Sequence, residues 1–212
     1  MPPFPSFNTD CPTRLRIEKL LRGIFMVVAG MAVLSGLCSS LQGADTPRYF
    51  ELGKRLVEDF QGTYEFKHKR VEFREVEPST WLVMLSGDQS PRQDKLVVGG
   101  ENVRWLRGSS SEILLSLKIN LHAGDTWQQI LKGTRRTYVT EATGLSIDVP
   151  AGHFERCSKV VISWTEHAPD VQGQQRIVLY LAPRLGIIKR EKWSNEVKWH
   201  EEVLVRYSAS AD

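Results

Sequence analysis

Few residues of this sequence have the type and the spacing that catalysis requires. The chain contains five histidines: His68, His122, His153, His167 and His200. No two of them stand at the short spacing that places two metal ligands on one helical face. Gly144 to Asp148 carries Ser146 but lacks the second glycine of a nucleophile turn. We therefore expect a protein that is not an enzyme and that uses no metal or other cofactor.

Cys157 is the one thiol expected to remain after export, so it cannot form an internal disulfide. It is a candidate reactive thiol or intermolecular bridge. The alternative is a small, half-buried strand residue. By alternation it lies opposite the face of Val160 and Ile162, unless a bulge shifts the register.

Tryptophan supplies the main indication of ligand binding. Five of the six tryptophans are candidate ligand-lining residues: Trp81, Trp105, Trp127, Trp164 and Trp199. They would line an aromatic cavity for an apolar molecule or a glycan. The alternative is ordinary core filling, since each indole buries a large apolar area.

Charged side chains give two weaker candidates. Glu201 shares the alternation of Trp199 and Val203, and a carboxylate on an apolar face would have a raised pKa. An edge strand or a bulge at this point is the alternative. The basic run 67–70 fits a charged face on an edge strand better than a nucleic-acid site, because the chain is expected to be exported.

The elements that must position these residues are mostly strands. Apolar and polar residues alternate around Trp81, Trp105 and Leu115, and from Val197 to Tyr207. Along that last run, Val197, Trp199 and Val203 are expected to face the core, with His200 and Glu202 turned away. Glycine- and proline-containing turns separate the runs at short intervals.

We therefore predict an all-β fold, a single antiparallel β domain over residues 45–212. The strands would form a meander closed into a barrel, a half-barrel or a sandwich. Residues 49–60 carry apolar positions at helical spacing and predict a short N-terminal helix, which Gly62 would end.

Residues 1–44 have the order of a secretory signal peptide behind a polar extension. A basic stretch from Arg14 to Arg22 precedes an apolar run from Gly23 to Leu37, followed by small residues suited to cleavage after Ser40 or Ala44. An uncleaved anchor and lipidation of Cys38 are the alternatives. We expect an exported protein, periplasmic or extracellular, with no integral membrane domain after cleavage.

Three stretches occur in order along the C-terminal half: Gly124 to Trp127, Val149 to Cys157 and Ala182 to Glu191. Each is typical of a strand boundary with a tight turn. Together they resemble a family of exported bacterial all-β proteins of unassigned activity, whose motifs are GDxW, VPAGxFxxC and APxxGxxKxE. Arg184-Leu185 departs from the small or glycine-containing dipeptide usual in that family. The resemblance implies an exported β-protein and no catalytic residues.

Two functions remain open at this point. The first is a non-enzymatic binding or assembly module whose partner is another envelope protein. The second is a carrier of lipid or another apolar small molecule in a half-barrel. A carrier needs an apolar cavity of roughly 300 to 1,000 Å³, whereas an assembly module should be densely filled. The formal net charge of +3 lies mostly in residues 1–44, so neither reading involves nucleic acid.

Overall fold

The structure is a computed structural model that describes residues 48–168 and 171–210. The predicted signal peptide, its cleavage positions and Cys38 lie outside the described residues. The described part contains twelve strands: β1 Arg55–Gly62, β2 His68–Glu77, β3 Thr80–Gly87, β4 Arg92–Gly99, β5 Asn102–Arg107, β6 Ile113–Lys118, β7 Thr126–Leu131, β8 Thr134–Val149, β9 Gly152–Ala168, β10 Val171–Ala182, β11 Gly186–Ser194 and β12 Val197–Ser210. No described residues form a helix long and apolar enough to cross a membrane.

All twelve strands belong to one antiparallel sheet in the order β6-β5-β4-β3-β2-β1-β12-β11-β10-β9-β8-β7. Nearly every strand pairs with its neighbours in sequence, and the first and last strands pair at the middle of the sheet. The predicted all-β antiparallel meander is therefore confirmed. The two edge strands, β6 and β7, are consecutive in the chain.

The sheet curls into a nearly closed barrel. Buried side chains from both ends of the sheet meet in one cluster, where Leu117 of β6 packs with Tyr138 of β8 and Ile162 of β9. Lys118 Nζ lies 5.4 Å from the ring centre of Trp127, across the unpaired seam between β6 and β7. A second cluster fills the opposite half of the interior around Leu56, Val83 and Leu204.

The predicted helix over residues 49–60 is wrong. Residues 49–54 form a turn and a bend, and residues 55–60 belong to β1. Leu56, Glu58 and Phe60 all point into the barrel, so the inward face carries a buried carboxylate. That charge interrupts the apolar alternation, and the sequence consequently resembles an amphipathic helix.

Two predicted strand faces are also corrected. In β12 the inward side chains are His200, Glu202 and Leu204, whereas Trp199 is partly exposed. The basic run 67–70 is not on an edge, because β2 lies between β1 and β3. Three polar residues predicted to face solvent on these strands therefore point into the interior: Lys69, His200 and Glu202.

The three sequence motifs do mark strand boundaries, as predicted. They fall at the start of β7, at the β8–β9 turn and at the β10–β11 turn. In the last of these, Arg184 takes a φ of 67°, a conformation that glycine adopts without strain. Arg184, which departs from the motif, therefore adopts the left-handed backbone conformation in this turn at a steric cost.

Candidate functional site

The interior of the barrel is not filled at the end where β1, β3, β5 and β11 finish. A cavity of about 280 Å³ opens there, which we call the mouth cleft. Its apolar lining comes from both halves of the sheet: Phe66, Trp105, Leu115, Ile162, Ile177 and Leu179. Its charged lining is mainly basic: Lys69, Arg92, Arg107, Arg136, Arg190 and Lys192, with Glu65 and Glu202.

Glu202 is the centre of the charged group at the base of the mouth cleft. Its Oε2 accepts a hydrogen bond of 2.6 Å from Lys69 Nζ, and its Oε1 lies 3.2 Å from Arg190 Nη1. Burial opposes ionisation of this carboxyl, but the charges of Arg190 and Lys69 outweigh it and hold the pKa well below its usual range. Glu202 is therefore ionised inside the barrel.

Lys69 lies between the Glu202 carboxylate and two phenylalanine rings of the interior. Its ammonium lies 4.8 Å from the ring centres of both Phe60 and Phe66, which favours a cation. Burial nevertheless lowers the pKa of Lys69 to about 8, against the opposing effect of Glu202. This lysine can therefore lose its proton at mildly alkaline pH.

Glu58 is the second buried carboxyl of the interior. Its side chain is buried, and its Oε1 has no hydrogen-bond partner among the described residues. Burial raises the pKa of Glu58 well above its usual range, and nearby Lys69 only partly offsets this. Glu58 and Glu202 thus face one interior with pKa values displaced in opposite directions.

His200 is held in one tautomer by the loop between β1 and β2. Its Nδ1 accepts hydrogen bonds from the backbone N–H groups of Tyr64 and Glu65, at 3.3 and 3.2 Å. The neutral ring consequently carries its proton on Nε2, which lies 4.0 Å from Glu202 Oε2. His200 fixes the loop to the rim of the mouth cleft.

The predicted tryptophans are not gathered at one site. Of the five, only Trp105 lines the mouth cleft, and its Nε1 donates to the buried carboxylate of Asp94 at 3.0 Å. Trp81 lies toward the other end of the barrel and donates to the carbonyl of Gly53. Trp127 stacks on Tyr138, with ring centres 5.1 Å apart.

The remaining two predicted tryptophans do not line the mouth cleft, although Trp164 packs against one of the interior clusters. Trp164 carries the guanidinium of Arg136 over its ring at 4.5 Å. Trp199 is 38% exposed and contacts Tyr64 edge to face. Neither reaches the apolar floor of the mouth cleft.

Cys157 is fully buried among the core residues, because a bulge shifts the register of β8 against β9. Arg156 takes a φ of 54° at this point. Burial raises the pKa of the Cys157 thiol to about 11, so it is protonated at neutral pH. The surroundings thus favour a packing role over the predicted reactive thiol.

Glu201 was predicted to lie on an apolar face with a raised pKa, but its surroundings are charged. It lies outside the barrel, within hydrogen-bond reach of Lys198 and Lys189. Burial raises its pKa, but Lys198 and Lys189 outweigh that effect and the net pKa is lowered. The perturbed interior position belongs to its neighbour Glu202.

A second cavity, of about 840 Å³, opens at the other end of the barrel. It is lined by the segment from Arg48 to Lys54, by turns, and by the strand residues Trp81 and Val98 of the interior cluster. Its rim includes Arg48, where the described chain begins. The mouth cleft, enclosed by strands on several sides, is therefore the better candidate site.

The sequence did not predict an interior position for Lys69, Arg136, Arg190 or Glu202, and Lys69 was named only within the basic run 67–70. The signal was present for two of them, because Lys69 shares the alternation of Val71, and Glu202 that of Leu204. Within the described ranges, no three His, Cys, Asp or Glu side chains are placed to hold a metal ion. The cleft can bind and orient a molecule through apolar contact and positive charge.

No protein-family model matches the chain, and no curated protein matches it. Two solved structures are similar in fold, each 15% identical in sequence and each covering 77% of this chain. One is a candidate lipoprotein from Parabacteroides distasonis, with a TM-score of 0.48 and 100% of its own chain covered. The other is a candidate exported protein with a YmcC-like fold from Bacteroides fragilis, with a TM-score of 0.49 and 99% covered.

Proposed function

We propose that this chain is an exported, non-enzymatic β-domain that carries a small molecule with an apolar body in the mouth cleft. The observation that supports this is the unfilled interior, where about 280 Å³ is bounded by aliphatic and aromatic side chains from both halves of the sheet. That volume lies just below the range typical of small-molecule pockets. A domain used only for assembly should instead have a closely packed interior at this point.

The lining supports carriage rather than catalysis. The charged side chains at the base of the cleft are paired with one another, with Glu202 held by Lys69 and Arg190. A paired carboxylate of lowered pKa is a poor general base at neutral pH. The group is better suited to stabilising an opening in the core than to moving a proton to a substrate.

Titration of the full chain with N-phenyl-1-naphthylamine, a neutral apolar dye, tests this function. Fluorescence should rise on binding and saturate near one dye per chain. Ile177→Trp should fill the cleft and weaken binding at least tenfold. Ile130→Trp is the matched control, because Ile130 is an exposed β7 residue outside the cleft. Circular dichroism should show both variants folded; no saturable uptake, or uptake unchanged in Ile177→Trp, would contradict the proposal.

Export rests on the N-terminal sequence and has a separate test. Intact-mass measurement of the protein recovered from its native cell should show a chain beginning near residue 41 or 45. A chain beginning at a lipid-modified Cys38 would instead assign a membrane-anchored form. Recovery of the full-length chain with Met1 present would contradict cleavage.

A further inference from the structure

The basic side chains of the mouth cleft are not equivalent, because most of them already have an acidic partner. Lys69 and Arg190 hold Glu202, and Lys192 Nζ lies 2.5 Å from Glu65. Arg92 likewise pairs with the buried Asp94, and Arg107 with Glu112. Arg136 differs from them, since no acidic side chain of the described residues lies within ion-pair distance of it.

Arg136 is placed to face a ligand. It pairs with Gln129 across β7–β8, and it shares the inward face of β8 with Tyr138. Its guanidinium stacks on Trp164 at 4.5 Å, which fixes the plane of the group. Its Nε is buried and has no hydrogen-bond partner among the described residues.

The unbonded Nε belongs to a row of similar atoms. Five buried polar atoms on the inward face of β7 and β8 have no protein partner within the described ranges: Trp127 Nε1, Gln129 Oε1, Arg136 Nε, Tyr138 OH and Thr140 Oγ1. Buried polar groups in folded proteins are almost always hydrogen-bonded. Of these five residues only Arg136 lines the mouth cleft, so its guanidinium is the group of this row that a molecule in the cleft can reach.

Resting on the proposed function, we infer that the carried molecule is an anionic amphiphile whose carboxylate or phosphate head binds Arg136. A guanidinium presents paired N–H donors in the fork geometry that both heads match. The apolar tail would then lie on Ile162, Ile177 and Leu179, which line the same cleft. Because the other basic lining residues are paired with acids, the uncompensated charge of Arg136 is what favours the negative head over a neutral one.

A stacking role alone does not account for these features. Cation–π contact with Trp164 explains the plane of the guanidinium but leaves its Nε without an acceptor. The unpaired positive charge also costs free energy in a partly enclosed site unless an anion reaches it. Both observations are satisfied by one acidic oxygen pair in front of Arg136.

The experiment compares decanoate, decyl phosphate and decanol, each displacing N-phenyl-1-naphthylamine from the full chain. We expect one or both acids to bind at least tenfold more tightly than decanol, and the tighter acid identifies the head. Arg136→Gln should weaken the acids about tenfold and leave decanol unchanged. Arg135→Gln is the matched control, because this neighbouring arginine is exposed on the other face of β8.

The outcomes separate this inference from the proposed function. Equal affinity for acids and alcohol, or acids unaffected by Arg136→Gln, would overturn the anionic head while leaving the apolar carrier in place. Absence of binding by the dye and all three compounds would overturn both. Arg136→Lys keeps the charge without the fork, so it should retain a folded chain and part of the acid affinity; full acid affinity would overturn the paired contact.

Discussion

Two buried carboxyls, Glu58 and Glu202, have opposite effects on the stability of this barrel. Glu202 is compensated by two basic side chains, whereas Glu58 has an oxygen without a hydrogen-bond partner among the described residues. Their pKa values are displaced in opposite directions for that reason, downward for Glu202 and upward for Glu58. The difference lies in the partners and not in the depth of burial, because both are nearly inaccessible.

Replacing Glu58 should stabilise the protein at neutral pH. A carboxyl whose pKa is raised in the folded state contributes stability at low pH, and this is lost as the pH rises from the unfolded value of about 4.5 through the folded value. Glu58→Gln removes that loss, so the free energy of unfolding should rise at pH 7 and rise less at pH 5. Urea unfolding at pH 5 and pH 7 measures it.

The control for this substitution is Glu77→Gln, at the exposed end of β2. It should leave the free energy of unfolding unchanged within about 0.5 kcal/mol. If Glu58→Gln is no more stable than the unsubstituted protein at pH 7, the Glu58 carboxylate has a partner when ionised and does not destabilise the fold.

Replacing Glu202 should have the opposite effect. A carboxyl whose pKa is lowered contributes stability above the unfolded value of about 4.5, and this is lost as the pH falls through the folded value. Glu202→Gln leaves Lys69 and Arg190 buried without their anion, and breaking a buried pair in this way costs about 3 to 5 kcal/mol. The loss should appear at pH 7 and disappear in strong acid.

Thermal unfolding of Glu202→Gln across pH 2 to 8 distinguishes this account from simple loss of packing. A packing defect would lower the melting temperature by the same amount throughout the range. Glu201→Gln, one residue along and outside the barrel, is the matched control and should lose much less, because its ion pairs are more exposed.

At the scale of the elements, the turn between β11 and β12 holds backbone strain. Asn195 and Glu196 both take positive φ, 46° and 68°, as a two-residue hairpin turn of the primed type requires. Asparagine tolerates this conformation, whereas glutamate does not share that tolerance. Glu196→Gly should therefore raise the free energy of unfolding by about 1 kcal/mol.

Glu196→Ala separates strain from the side-chain contact at this turn. Glu196 lies 3.8 Å from Arg176 but is 78% exposed, so the ion pair contributes little. Glu196→Ala removes the pair and keeps the strain, and it should be nearly neutral in chemical unfolding. A loss in both variants would show that the pair, and not the backbone, decides the stability of the turn.

The sequence predicts the strands well but assigns several of their faces wrongly. Alternation and turn residues are local properties, so β3, β5 and the hairpin turns could be predicted. The inward charges were missed, because Lys69 and Glu202 are stabilised by partners from strands distant in sequence and Glu58 is buried with its Oε1 unpartnered among the described residues. Each one breaks the apolar alternation, which turned β1 into a predicted helix and reversed the predicted face of β12.

The candidate site was less predictable than the fold. Tryptophans were the most visible aromatic signal, but only Trp105 reaches the mouth cleft. Arg136 has an exposed basic neighbour, Arg135, and residue type alone does not mark which of the two is inward. The alternation of β8 with Tyr138 and Thr140 would have placed it correctly once that strand was recognised.

At the scale of the whole molecule, the seam between β6 and β7 decides how a ligand could enter. These two strands are the edges of the sheet, and they are joined by side-chain packing rather than by the ladder that links every other neighbour. Edge strands open at lower cost than strands paired on both sides. The row of unbonded polar atoms lies on the inward face of β7 and β8, directly beside this seam.

Residue-resolved amide hydrogen exchange should therefore show a gradient around the barrel. Amides that are hydrogen-bonded between β1 and β12, the pair at the middle of the sheet, should exchange at the rate of global unfolding. Amides of the edge strands β6 and β7 should exchange at least tenfold faster. Decanoate should slow exchange in β7 and β8 more than elsewhere if its head occupies the inward face of that hairpin. Uniform protection of the amides in β6, β7, β1 and β12 would mean that the barrel is hydrogen-bonded all the way round. A ligand would then have to enter through the open mouth between the β1–β2 and β3–β4 loops.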